Sequence, residues 1–260
     1  MTLSPAGRLL LRVATGLTLV FIYLPLAIVG LYAFNESRIQ SWPLQGLTLK
    51  WFERALHNPG ARDALWTSLK VALGATGVAL VLGTLLALAL ARHAFFGRTA
   101  LSFLVILPIA LPGIVTGMAL NATFRTAGVQ LGVLTIVVAH ATFCIVIVFN
   151  NVVARLRRTP KSFEEASSDL GADTWQTARY VVFPALRTAL LAGALLAFAL
   201  SFDEVIVTTF TSGRDQTLPI WILANLSRPN QLPVVNVVAL FVIVLSAIPV
   251  YAAARLTRES

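Results

Sequence analysis

The chain is poor in what most soluble enzymes use. Of its 260 residues only one is cysteine, three are histidine and 12% are charged. The lone Cys144 excludes a disulfide within the chain, and its place in an apolar run leaves no redox compartment to read. His57, His93 and His140 fall in separate segments, so no metal-ligand spacing arises. There is no Gly-x4-Gly-Lys-Ser/Thr phosphate loop, so the chain is not expected to hydrolyse ATP. His-Glu-x-x-His, Cys-x-x-Cys and Gly-x-Ser-x-Gly are missing as well, which removes the common hydrolase and redox readings. No internal repeat is visible, and that argues against a secondary transporter built from two similar halves.

What is present is apolar surface. Hydrophobic residues make up 57% of the chain and mean hydropathy is +0.82, values that a water-soluble domain does not reach. They lie in six blocks, 13–34, 69–91, 100–123, 131–154, 185–210 and 234–254, each long enough for the ~20 residues a bilayer crossing needs. The expectation is an all-α polytopic membrane protein, one domain over 1–260 with six transmembrane helices. The first block follows Arg8 and Arg12 but is too long for a signal core and has no small-x-small exit, so it reads as a retained span.

The net charge of +9 invites a nucleic-acid reading. Its arrangement does not support one: the densest basic run, Arg155, Arg157, Arg158 and Lys161, adjoins a span end, where it acts as a topology anchor. With that run inside, both termini are cytoplasmic.

Between the fourth and fifth blocks lies a polar hairpin, 162–184, inside a cytoplasmic segment 155–184. Ser162 and Glu165 have capping-box spacing, predicting a helix from Phe163 that carries Phe163, Ala166 and Leu170 on one face. Gly171 supplies a left-handed stop. Asp173 and Gln176 repeat the capping box and open a second short helix with Trp175, Ala178 and Val182 as its stripe. Two short amphipathic helices outside the bilayer form a docking element for a soluble partner.

The remaining connections are less specific. Residues 35–66 mix aromatics, charges and turn formers, which suits an interfacial segment with a short helix near 49–56 and a turn at His57-Asn58-Pro59-Gly60. Pro108 and Pro112 interrupt the third span, which is tolerated only against protein or a water cavity; a kinked packing helix and a path-lining helix are both open readings. Gly74, Gly77 and Gly83 suggest close helix contacts in the second span. His140 reads as an interhelical hydrogen-bonding group.

Asp203-Glu204 within the fifth block is the costly feature. A carboxylate at membrane depth costs roughly 2.5–3.5 kcal/mol on the lower scales and should face protein or water. On a continuous helix Ser201, Glu204, Thr208 and Thr211 share one side, whereas Asp203 points about 100° away. Glu204 is therefore the candidate to line a polar passage, and Asp203 to cap or pair with a neighbouring helix. A structural role for both near the interface is the alternative.

The hairpin also carries a resemblance. Glu165, Ala166, Ser167, Gly171, Val181, Phe183 and Pro184 stand at the spacing of the Glu-Ala-Ala…Gly…Ile-x-Leu-Pro signature of permease subunits of bacterial ATP-binding-cassette importers, with Ser, Val and Phe as departures. Phe34-Asn35, the run from Gly46 to Phe52, Leu107-Pro108-Ile109-Ala110-Leu111-Pro112-Gly113 and, above all, Ala197-Phe198-Ala199-Leu200-Ser201-Phe202-Asp203-Glu204 resemble the polyamine-type permeases, nearest to the Ydc-type subgroup. The resemblance implies a type I importer permease (MetI-like) in the bacterial inner membrane, moving a small organic cation such as putrescine or spermidine. 4-Aminobutyrate, another amino acid or thiamine are the alternative substrates within that class, and a secondary transporter or membrane scaffold the alternative classes.

It further implies a second related permease subunit, two cytoplasmic ATPase subunits that hold ATP and Mg, and a periplasmic substrate-binding protein, with membrane lipid around the spans. No nucleic-acid partner, resident metal or cofactor is implied. Glu164, Glu165, Ala166, Ser167, Asp169, Leu170 and Gly171 would couple to the ATPases. Glu204, Asp203, Ser201, Thr208, Pro108 and Pro112 would shape the substrate path.

Overall fold

A computed structural model of the chain describes residues 4–256, with side chains to Ser246. Every described element is helical apart from an isolated bridge between Asn35 and Leu47. In chain order they are α1 (Pro5–Ala33), α2 (Lys50–Leu56), α3 (Pro59–Arg92), α4 (Arg98–Ala110), α5 (Gly113–Thr126) and α6 (Val133–Arg157). Then follow α7 (Ser162–Asp169), α8 (Thr174–Thr177), a π-turn at Ala178–Val182, α9 (Phe183–Phe202), α10 (Ile206–Thr211), α11 (Leu218–Leu226) and α12 (Leu232–Leu256).

Four stretches are long and apolar enough to cross a bilayer unbroken: Pro5–Ala33, Pro59–Arg92, Val133–Arg157 and Thr174–Phe202. The third block is not a single span. Leu111 is extended and Pro112 caps the next helix, so α4 and α5 meet at 104° and make a fifth crossing only as a pair. The sixth block is α12, whose apolar stretch Leu232–Ser246 lies within the described side chains. The six blocks thus appear as four unbroken spans, one broken span and α12, a helix of 25 residues.

Two other boundaries differ from the sequence reading. The turn expected at 57–60 is the start of α3: the Asn58 Oδ1 accepts from Ala61 N at 3.0 Å, and Pro59 takes the first helical position, where its missing N–H is no loss. The fifth block breaks at Asp203–Val205, so α9 and α10 are separate helices.

The chain forms two compact units, Asp63–Ile220 and, separately, Met1–Arg62 with Trp221–Ser260. In the latter, α1 packs on α12 and α2 on α12. Trp51 is the anchor: it is 1% exposed and its indole N–H donates to the Asn35 carbonyl at 2.8 Å. Phe52 lies between Phe34 and Phe241, with ring centroids at 4.9 and 6.0 Å. Along α1, Ala33 is the one buried residue, while Leu9, Leu10, Phe21 and Tyr23 are all over half exposed, a surface that suits lipid rather than water.

In the unit Asp63–Ile220 the core is built on α6, against which α9 packs most extensively. Small residues allow the approach. A Cβ on Gly83 would lie 2.9 Å from the Ile145 carbonyl, and one on Gly193 would lie 3.4 Å from the Val148 Cα. Gly74 meets Val137 in the same way, whereas Gly77 faces open space, so two of the three expected glycine contacts are used.

Candidate functional site

The hairpin is assembled mainly from short-range bonds. Helix α7 starts one residue earlier than its capping box predicts: Lys161 is the cap and Ser162 is already helical, because the carbonyls of Pro160 and Lys161 accept from Phe163, Glu164 and Glu165. Ser162 therefore caps nothing. The stop is as expected. Gly171 has φ +85°, its N–H donates to Ser168 O, and Ala172 N donates to Ser167 O, a complete Schellman closure. Asp173 and Gln176 form a reciprocal capping box, at 2.8 and 2.9 Å. The Ser167 and Thr177 hydroxyls, 3.0 Å apart, tie the two arms together.

The second arm is not a free helix. It runs through the π-turn into α9, giving one continuous stretch to Phe202. Phe183 donates to Ala178 O, five residues back, immediately before Pro184. Pro184 has no N–H and its ring crowds the carbonyl one turn earlier, so a widened turn accommodates it.

The expected coupling residues are mostly on the surface. Glu165, Ala166, Asp169 and Gly171 are exposed, Ser167 is half-buried, and Leu170 is 90% exposed. Phe163, Trp175 and Tyr180 add three more large exposed apolar groups. Glu164 differs: its carboxylate meets the Arg92 guanidinium at 2.6 Å, pinning α7 to the end of α3. Sequence reasoning missed Arg92, because a terminal arginine on a span carries no signal of a partner 72 residues away.

The second site is the break in the fifth block. Asp203 is the C-cap of α9 and exposed, with no ion-pair or side-chain hydrogen-bond partner among the described residues. The half-buried Glu204 accepts from Val207 N at 3.0 Å and so caps α10. Capping, assigned above to Asp203, therefore falls to Glu204, because the break lets a residue three before the amide turn back on it.

His140 holds the two helices on either side of the break. It is fully buried on α6, with Nδ1 at 2.8 Å from the Ser201 hydroxyl and Nε2 at 2.9 Å from the Thr208 hydroxyl. Thr208 commits its own proton to Glu204 O at 2.6 Å, so Nε2 must be the nitrogen that donates to it. Ser201 and Thr208 are thus joined through His140 across the break, and Glu204 enters only by its main-chain carbonyl, on Thr208.

The two expected prolines separate. Pro112 starts α5, which packs closely on α10: Gly113 adjoins Ile206 and Val207, Gly117 faces the Phe210 ring, and the Asn121 amide donates to Phe210 O. Pro108 sits inside α4, which packs on α6, and is not part of that seam. Gly113-x-x-x-Gly117 was a readable small-residue pair; Asn121 within an apolar run was the other available signal.

Comparison with known proteins bears on the family and the fold. The family described as binding-protein-dependent transport system inner membrane component matches residues 79–259. The spermidine/putrescine transport system permease protein PotC of Haemophilus influenzae is 33% identical over 242 residues, covering 92% of this chain and 93% of that one. The putrescine transport system permease protein PotI of Escherichia coli K12 is 32% identical over 232 residues, 86% of this chain and 82% of that one. The crystal structure of a bacterial ABC transporter involved in the import of the acidic polysaccharide alginate contains a chain that superposes with a TM-score of 0.76 at 17% identity. That match covers 100% of this chain and 99% of the other, and it speaks to the fold alone.

Proposed function

Because the chain belongs to the inner membrane components of binding-protein-dependent transport systems, as an ATP-binding-cassette importer permease without catalytic chemistry of its own, we propose that its cargo is a small organic cation, a polyamine such as putrescine or spermidine. The observation that carries this is the carboxylate pair at the break in the fifth apolar block, between α9 and α10. Asp203 and Glu204 put two negative charges at a helix break, and neither has an ion-pair partner among the described residues. A cation passing there supplies the missing counter-charge in a partly dehydrated setting, where attraction exceeds its value in bulk water. The PotC and PotI likeness supports the same cargo, and the motif runs quoted above resemble those of the Ydc-type polyamine permeases.

In this reading a second related permease completes the pathway, two cytoplasmic ATPases dock on the hairpin, and a periplasmic binding protein delivers substrate. The exposed Phe163, Ala166 and Leu170 give the ATPases an apolar face to cover. The two termini and segment 155–184 lie on the cytoplasmic side. Cysteines introduced at the exposed Ser168 and Gln216, with the buried Cys144 as the background thiol, should label from opposite sides of the membrane. Labelling of both from one side rejects this orientation.

The cargo is tested with Glu204→Gln in the assembled importer. Glutamine keeps an acceptor for Val207 N–H, so the α10 cap persists while the charge goes. Spermidine uptake should fall about tenfold, the equivalent of about 1.4 kcal/mol, and 4-aminobutyrate uptake, where measurable, should fall less. Asp203→Asn, at an exposed position, should leave folded yield unchanged. Equal loss for cation and zwitterion, or no loss, removes the cation reading.

A further inference from the structure

Where the hairpin joins the spans there is a cavity of about 380 Å³, bordered by Phe163 and Glu164 of the docking hairpin but outside the proposed substrate path. Its charged lining is Arg92, Arg155, Arg158 and Glu164, a surplus of two positive charges. Among the described residues the buried Arg92 Nε and Nη2 find no acceptor in hydrogen-bond geometry, even though Nη2 lies close to Glu164. Buried guanidinium donors left in that state are costly and are ordinarily satisfied. Arg155 spends its Nε on Ala185 O at 2.8 Å, which fixes its head beside the cavity. Arg158 makes no side-chain hydrogen bond or ion pair among the described residues.

We propose that this cavity binds a phosphate group. Three guanidinium groups offer planar, forked donors suited to a tetrahedral oxyanion. The position adds a second reason. The cavity lies where α3 and α6 end and α9 begins, so it stands at the rim of the apolar spans, and Phe163, Leu156 and Val181 give it apolar walls. A basic pocket between span ends at the membrane rim is the setting in which acidic phospholipid headgroups are held. The same donors take free inorganic phosphate, and the two sources differ in whether an acyl chain contributes.

The bound group would act on α7 through Glu164. A phosphate on Arg92 competes with that carboxylate for the guanidinium, and the Arg92–Glu164 pair is the tie between α7 and the end of α3.

The test is equilibrium binding to the detergent-purified full-length permease. One arm uses tail-labelled phosphatidylglycerol, with phosphatidylcholine as the neutral comparison, and a parallel arm uses inorganic phosphate. Binding should saturate, and Arg158→Gln should weaken it about tenfold, the scale of one charge-assisted contact. Arg157→Gln, which removes an equal charge from the same run but outside the lining, should change it less than about twofold. Arg158→Lys should recover part of the loss. Arg92→Gln should weaken binding similarly, and Arg158→Gln decides the matter if loss of the Glu164 pair prevents folding. Selective, Arg158-dependent binding of phosphatidylglycerol that millimolar phosphate does not displace identifies lipid as the source. Arg158-dependent binding of inorganic phosphate that also displaces the lipid identifies the free anion. Absence of saturable binding in both arms, or equal losses with Arg157→Gln and Arg158→Gln, overturns the proposal.

Discussion

Gly171→Pro should reduce uptake by the assembled importer to background while the permease still inserts in the membrane. Gly171 has φ +85°, and proline is locked near φ −65°, so the substitution cannot keep the turn. It also removes the N–H that donates to Ser168 O and disturbs the neighbouring bond from Ala172 N to Ser167 O. Both carbonyls end α7, and without them the last turn that carries Leu170 has no fixed end. No Cβ clash contributes, since no described atom lies within 4 Å of where a Cβ would stand, so the effect comes from the backbone, through φ and the lost N–H. Gly171→Ala should be milder, since the left-handed region costs a side chain roughly 1–2 kcal/mol. The measurement pairs substrate uptake with stimulated ATPase activity of the reconstituted complex. A Gly171→Pro importer with wild-type uptake would take the hairpin out of the mechanism.

Gly117→Leu should have the second large effect, this time on folding. A Cβ there would sit 2.7 Å from the Phe210 ring, closer than real Cβ contacts come, and 3.2 and 3.3 Å from its next two carbons. Relief requires α5 to move off α10. One turn on, Asn121 would then lose its bond to Phe210 O, and Arg125, which donates to Asn121 Oδ1 at 2.9 Å, would lose its support. Overpacking of this kind costs about 1–3 kcal/mol, and an interhelical hydrogen bond in a membrane about 0.6–2 kcal/mol. Folded yield and thermal stability in detergent should both drop. Gly117→Ala paired with Phe210→Leu should be more stable than the sum of the single changes by about 1 kcal/mol. Strict additivity would mean that the two residues do not meet.

Features that close within a few residues were legible in the sequence. The Gly171 stop and the Asp173–Gln176 capping box need only their own neighbours, and both are present. Ser162 had equally good spacing and failed, because Pro160 and Lys161 start the helix first. The Asn58-Pro59 helix start is equally local, but the same four residues, ending Pro59-Gly60, also fit a turn, and only the structure decides between them. The prolines of the third block announced an interruption, and hydropathy marked every apolar block, since crossing a bilayer is a matter of length and composition.

What the amino-acid order determined by itself is the all-helical membrane class, the Gly171 stop and Asp173–Gln176 cap of the hairpin, and the residue types at the fifth-block break. Each follows from transfer energy or from bonds between near neighbours. Tertiary structure alone decided the rest. The hydropathy of 185–210 runs on past Asp203, yet the helix stops there because α10 finds partners elsewhere: Gly113 and Gly117 on α5, and His140 on α6 through Thr208. The same seam accompanies the 104° bend of the third block, which two prolines permit but do not specify. Arg92 meets Glu164, and His140 meets Ser201, across separations that no local pattern encodes. A long-range pair is specified by how helices pack, and packing depends on all the side chains in a seam at once.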